Sequence, residues 1–175
     1  AGMTILEIQP GSQSWWTDIL APYARMTGGK FYATGADLAN PKLSEGGRKA
    51  RAAFEQRYTT KPELYGDVKV VNWGDVSRTL PADTFDFILP ARSIHGWMGD
   101  EEPNAVEETF REFYKALKKG GILAVEQHRA NPLPAGAKEN PDSGYLTEQY
   151  VIGQAEKAGF RLAAKAEINE NPKDT

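Results

Sequence analysis

Six short β-prone runs, most followed by a turn and a helix-length segment, constrain this chain more than any other feature. They fall at residues 4–8 (TILEI), 30–34 (KFYAT), 67–73 (DVKVVNW), 85–89 (FDFIL), 122–127 (ILAVEQ) and 161–168 (RLAAKAEI). Helical periodicity fills the intervals. Trp16, Ile19, Leu20 and Tyr23 recur at helical spacing behind Ser14, a capping residue type, and Pro22 is expected to kink or end that helix. Leu43, Ala50, Phe54 and Tyr58 are the expected inward residues of a helix over 44–58. Val106, Phe110, Phe113 and Leu117 form one stripe of a helix over 103–117, which Gly120-Gly121 stops, and 145–158 reads as a last helix ended by Gly159. Gly28-Gly29 and Gly35 bracket the second strand. Strands that alternate with helices need crossover connections, which set the strands parallel and cover both faces of the sheet. The expected fold class is α/β, a Rossmann-like, doubly wound, mainly parallel sheet flanked by helices, in a single domain over 1–175. In such sheets ligands bind beyond the carboxyl ends of the strands, so the loops after Ile8, Thr34, Trp73 and Leu89 are the places to search.

Composition narrows the partners. A chain of 175 residues that is 40% hydrophobic can bury one core. A net charge of -3 gives no basic footprint for phosphates, so no nucleic-acid partner is expected. Without cysteine there is no disulfide, thiolate nucleophile or thiolate zinc site. No apolar run approaches the roughly 20 residues that cross a bilayer, and no signal peptide is present. The cytoplasm is the expected compartment, with any natural leader lying outside this stretch.

The turn Glu7-Ile8-Gln9-Pro10-Gly11 after the first strand resembles the first motif of class I S-adenosylmethionine-dependent methyltransferases, in which an acidic residue ends a strand before a tight glycine turn. Gln9 and Gln13 stand where that family commonly has glycine, and their side chains narrow the loop. Further segments carry a closer similarity to a group of predicted bacterial methyltransferases: WTDILAPY at 16–23, RSIHGW at 92–97 and EQHRA at 126–130. The resemblance implies S-adenosylmethionine as cofactor and methyl transfer, with no acceptor carried across; a small-molecule acceptor is the expectation. It implies that Glu7, Gln9 and Gly11 lie at the methionine portion, Asp37 at the ribose, and Gly74 with Asp75 at the adenine. Asp37 is the nearest acid after the second strand, where Thr34-Gly35-Ala36 occupies the usual acidic place. Aromatic walls from Trp15, Trp16, Trp73 and Trp97 would suit a sulfonium, although core packing explains such residues equally.

His95 and His128 are the only histidines, and both follow strands that end at the expected pocket. Either could serve as a catalytic base, with Glu126 or Asp86 orienting the ring; the alternative is a pair of hydrogen-bonded structural histidines. A metal site built with Glu126 or Glu101 is a lesser reading, and no metal is expected. Asp100-Glu101-Glu102 suits the start of a helix. The long loop at 129–143 is either a lid over a substrate or a plain surface connection. Two rival functions remain. A nicotinamide dehydrogenase would need a Gly-x-Gly-x-x-Gly turn that Gln9, Pro10 and Gln13 do not supply. A non-catalytic nucleoside-binding or protein-interaction domain of methyltransferase ancestry would tolerate the missing glycines. Methyltransferases of this class usually have helical residues before the first strand and a seventh, antiparallel strand at the end. Further elements, or a partner subunit in a homodimer, are therefore expected to cover the open sheet edge.

Overall fold

The structure is a computed structural model that describes residues 1–74, 76–98 and 104–171. Among these residues the strands are β1 (Thr4–Ile8), β2 (Lys30–Ala36), β3 (Lys69–Trp73), β4 (Phe85–Pro90) and β5 (Leu117–Leu123). The helices are α1 (Trp15–Met26), α2 (Glu45–Thr59), α3 (Pro62–Tyr65), α4 (Ile94–Met98), α5 (Ala105–Ala116) and α6 (Glu148–Lys157). All five strands run parallel in one sheet, ordered β3-β2-β1-β4-β5. The chain steps outward from β1 through β2 to β3, then returns to the other side of β1 for β4. The order therefore reverses between β1 and β4, the topological switch point of a doubly wound sheet.

The chain divides into two compact units: Ala1–Ala91 with Lys115–Val125, and Arg92–Tyr114 with Glu126–Thr175. The first holds the sheet. β1 is central and buried on both faces, with Ile5 and the carboxyl-bearing Glu7 on one and Leu6 and Ile8 on the other. Ile5, Phe31 and Ala33 pack with Ala21 and Ala24 of α1, Tyr58 of α2 and Val68. Full burial of each large apolar side chain contributes about 1.5–3 kcal/mol. In the second unit Trp97, Phe110 and Phe113 meet edge to face at centroid distances of 5.8 to 6.2 Å. The expected stripe of α5 is buried as its spacing requires: Val106, Phe110, Phe113, and Leu117 at the start of β5.

Several expectations are corrected. Residues 161–168 form no strand; they lie exposed, and Lys165 and Glu167 pair with Glu148 and Arg129 instead of entering a ladder. β5 begins at Leu117, five residues before the expected start, because Leu117 already pairs with Phe85. The register then shifts before Ile122 meets Phe87, so Gly120-Gly121 lies inside the strand. β2 runs through Gly35, and α1 runs through Pro22. Ser14 does not cap α1 with its side chain; it sits in the left-handed region at φ 51°, and its Oγ donates to Gly11 O at 3.1 Å. The buried face of α1 is Thr17, Ala21 and Ala24, small residues that let the helix lie close to the sheet, while Trp15, Ile19 and Tyr23 are exposed. Ala50 is exposed too, and its neighbour Arg51 is buried in its stead. Trp73 and Trp97 are core residues, and the 129–143 loop contains a single 3₁₀ turn, Pro141–Ser143.

Candidate functional site

Among the described residues the first unit carries five of the expected cofactor residues, at strand ends and on the turns that follow them. Glu7 points to the α1 face of the sheet, 1% exposed, and Thr17 donates to its Oε2 at 2.5 Å. Burial raises the Glu7 carboxyl to a pKa of about 7; the Thr17 hydrogen bond opposes that shift and the Asp18 charge adds to it. Gln9 takes φ 50°, the left-handed conformation a glycine adopts freely, and its N–H donates to Thr34 Oγ1 at 2.7 Å. Gln9 thus keeps a glycine-like backbone while its amide ties the turn after β1 to β2. Gly11 is also left-handed, at φ 68°, and both it and Gln9 are exposed on the turn.

Asp37 follows β2 directly and is 3% exposed. Its Oδ1 accepts from Ala39 N at 2.9 Å, whereas its buried Oδ2 has no hydrogen-bond partner. Gly74, just past β3, lies against it: a Cβ there would stand 3.0 Å from Asp37 Cβ. The register of Ala36 opposite Trp73 makes the two neighbours. Asp75 lies outside the described residues, as do Glu101 and Pro103. A buried acceptor oxygen without a donor is open to a water, an ion or a ligand donor. The missing Cβ of Gly74 lets its backbone pack closely against Asp37.

His95 and His128 belong to the second unit. His95, half-buried on α4, faces Gln127, whose Nε2 is 3.3 Å from His95 Nδ1 and donates to Gly144 O at 2.7 Å. The His128 ring lies 5.2 Å from that of Tyr145, and its backbone oxygen accepts from Leu146 N. The Asp86 carboxylate, in the first unit, accepts from Thr4 N at 2.7 Å and Lys118 Nζ at 2.8 Å, which hold it below the ordinary carboxylate range. Among the described residues no three His, Asp or Glu side chains gather as metal ligands would. The sequence reading missed Thr17, Thr34 and Gln127. Thr17 lay within WTDILAPY, Thr34 stood in the usual acidic place at the end of the expected second strand and Gln127 lay within EQHRA, but nothing in those segments marked these three side chains.

No family model matches the chain, and no curated protein matches it. Solved structures do. An S-adenosylmethionine-dependent methyltransferase from Aquifex aeolicus is 24% identical, with a TM-score of 0.60 over 93% of this chain and 74% of that one. Another from Mesorhizobium loti is 17% identical, at 0.59 over 94% and 76%. The [4+2]-cyclase SpnF is 19% identical, at 0.60 over 91% of this chain; the chain spans only 51% of SpnF's length. A cyclase among these neighbours separates fold from chemistry. At these identities the likeness is one of fold, and it agrees with the parallel sheet and its switch point: this chain has the Rossmann-like fold of the S-adenosylmethionine-dependent methyltransferases.

Proposed function

We propose that this chain is an S-adenosylmethionine-dependent methyltransferase acting on a small-molecule acceptor, with residues 1–175 serving as one cofactor-binding domain of a bacterial cytoplasmic enzyme. The observation that carries this reading is Asp37, a buried carboxylate with one oxygen fixed by Ala39 N and the other without a donor, beside a glycine. Ribose hydroxyls are donors of the kind that oxygen lacks, and hydrogen bonds to a charged group are worth about 1.5–3 kcal/mol. Gly11 and the turn after β1 would hold the methionine portion, with Glu7 as the buried acid behind them and Gln9 shaping the turn. Gly74 with Asp75 would meet the adenine. When bound, the cofactor supplies an electrophilic methyl group on sulfur. The chain's own part is orientation, because holding an acceptor nucleophile in line needs no protein nucleophile. His95 and His128 are the residues proposed to meet the acceptor.

Calorimetric titration of the full chain with S-adenosylmethionine, S-adenosylhomocysteine and a nicotinamide dinucleotide tests the proposal. Micromolar binding of the first two and none of the third is expected, and Asp37→Ala should weaken binding by about 10- to 100-fold while the protein stays folded. If neither sulfur compound binds, the reading fails and a non-catalytic domain takes its place.

A further inference from the structure

We infer that Gln127 is a positioning residue that fixes His95 as the Nε2–H tautomer, so that His95 meets the acceptor as a hydrogen-bond donor and not as a base. The argument rests on three contacts in the second unit. Gly144 O lies 2.7 Å from Gln127 Nε2, and a carbonyl oxygen can only accept. The amide must therefore turn its NH₂ group to Gly144; the opposite orientation would set two oxygens against each other. An amide nitrogen has two hydrogens and no lone pair to offer. With one hydrogen on Gly144 O, the other serves His95 Nδ1, 3.3 Å away, and Nδ1 must be the bare, accepting nitrogen. The ring proton then resides on Nε2.

Gln127 Oε1 bears the cost of this orientation. It is buried without a partner. Flipping the amide would bring this oxygen to His95 and satisfy it from Nδ1–H, at the expense of the contact with Gly144. Gly144 O is not free to yield: Gly144 closes the 3₁₀ turn Pro141–Ser143 in the left-handed region, its N–H donates to Pro141 O at 3.0 Å, and Ser143 Oγ donates to Asn140 O at 2.7 Å. The turn dictates the amide, and the amide dictates the imidazole.

A carboxylate beside a histidine accepts from one ring nitrogen and leaves the other with its lone pair exposed, the arrangement of a base. An amide that donates does the reverse. Among the described residues His95 Nε2 makes no hydrogen bond, so its N–H remains available. The acceptor class that follows is a small molecule bearing an oxygen lone pair at or beside its reacting atom, such as a carboxylate, a carbonyl or an already ionised phenol. That step rests on the proposed methyltransferase reading; the tautomer does not.

Long-range proton–nitrogen correlation NMR on the ¹⁵N-labelled full chain tests it, at a pH where both rings are neutral, with His128→Gln to assign the two histidines. The expected spectrum has His95 protonated on Nε2 and bare on Nδ1. Gln127→Glu should move the proton to Nδ1, and Gln127→Ala should reduce the Nε2–H preference by up to about tenfold, the scale of one net hydrogen bond. An Nδ1–H ring in the wild type, or a tautomer unchanged in both variants, overturns the inference. Because the spectrum needs neither cofactor nor acceptor, its outcome is separate from that of the titration.

Discussion

Glu7 concentrates the cost of the site in one side chain. Its carboxyl, raised by burial to about 7 from an ordinary 4.5, holds its proton more tightly in the folded chain than in the unfolded one. Its contribution to stability is therefore complete below about pH 4.5 and is lost as pH climbs through 7. Near neutrality the loss approaches about 3 kcal/mol, since each pKa unit is worth about 1.4 kcal/mol. Glu7→Gln keeps an acceptor for Thr17 Oγ1 and removes the titration. Urea unfolding between about pH 5 and pH 8 should show the wild type losing about 2–3 kcal/mol more than the variant. Parallel pH profiles would remove the buried carboxyl from the account.

At the scale of elements, Arg51 joins α2 to the ends of β2 and β3. It is 6% exposed; its guanidinium reaches Glu55 at 2.7 Å and Ala36 O, Asn72 Oδ1 and Val70 O at 3.1 Å each. Gly35 clears its path, since a Cβ there would stand 2.6 Å from Arg51 Cδ. Arg51→Ala should cost about 3 kcal/mol in urea unfolding, because it strips a buried hub of donors from four acceptors. Arg51→Lys should not rescue it, for an ammonium lacks the planar fork; a loss below about 1 kcal/mol would contradict this role. Nothing in the sequence marks Arg51, which reads as one more charge on a polar helix. What was legible followed from local chemistry: β1 to β4 from their β-prone runs, and with them the placement, though not the role, of Glu7, Asp37 and Gly74 at or just beyond strand ends. What was not legible depends on partners remote in sequence. The face of α1 turned on how closely a helix can approach the sheet, which favours Thr17 and Ala21 over Trp16. Residues 161–168 have strand composition but enter no ladder among the described residues. Gln127 owes its role to Gly144, in a turn beyond the long loop.

Across the whole molecule, protection is unevenly distributed. β1 is hydrogen-bonded on both sides and carries Ile5, Leu6 and Ile8 at 1% exposure or less. Residues 161–171, by contrast, are exposed apart from their ion pairs. Surface pairs of that kind contribute at most about 1 kcal/mol. Hydrogen exchange should find the β1 and β4 amides slowest, opening only with global unfolding, and residues 161–171 exchanging almost at once. Comparable protection in the two would refute this ranking.

The central place of β1 also has a consequence in time. Its second neighbour, β4, is remote along the chain: Thr4 N donates to Asp86 Oδ2, 82 positions away. On a ribosome β2 is complete at Ala36, but β4 begins only at Phe85, about fifty residues later. At about 5 to 20 residues per second, that gap lasts roughly 3 to 10 seconds. Throughout it the nascent chain presents the open edge of its central strand, and the interval belongs to whatever shields that edge until the last residues of β4 emerge.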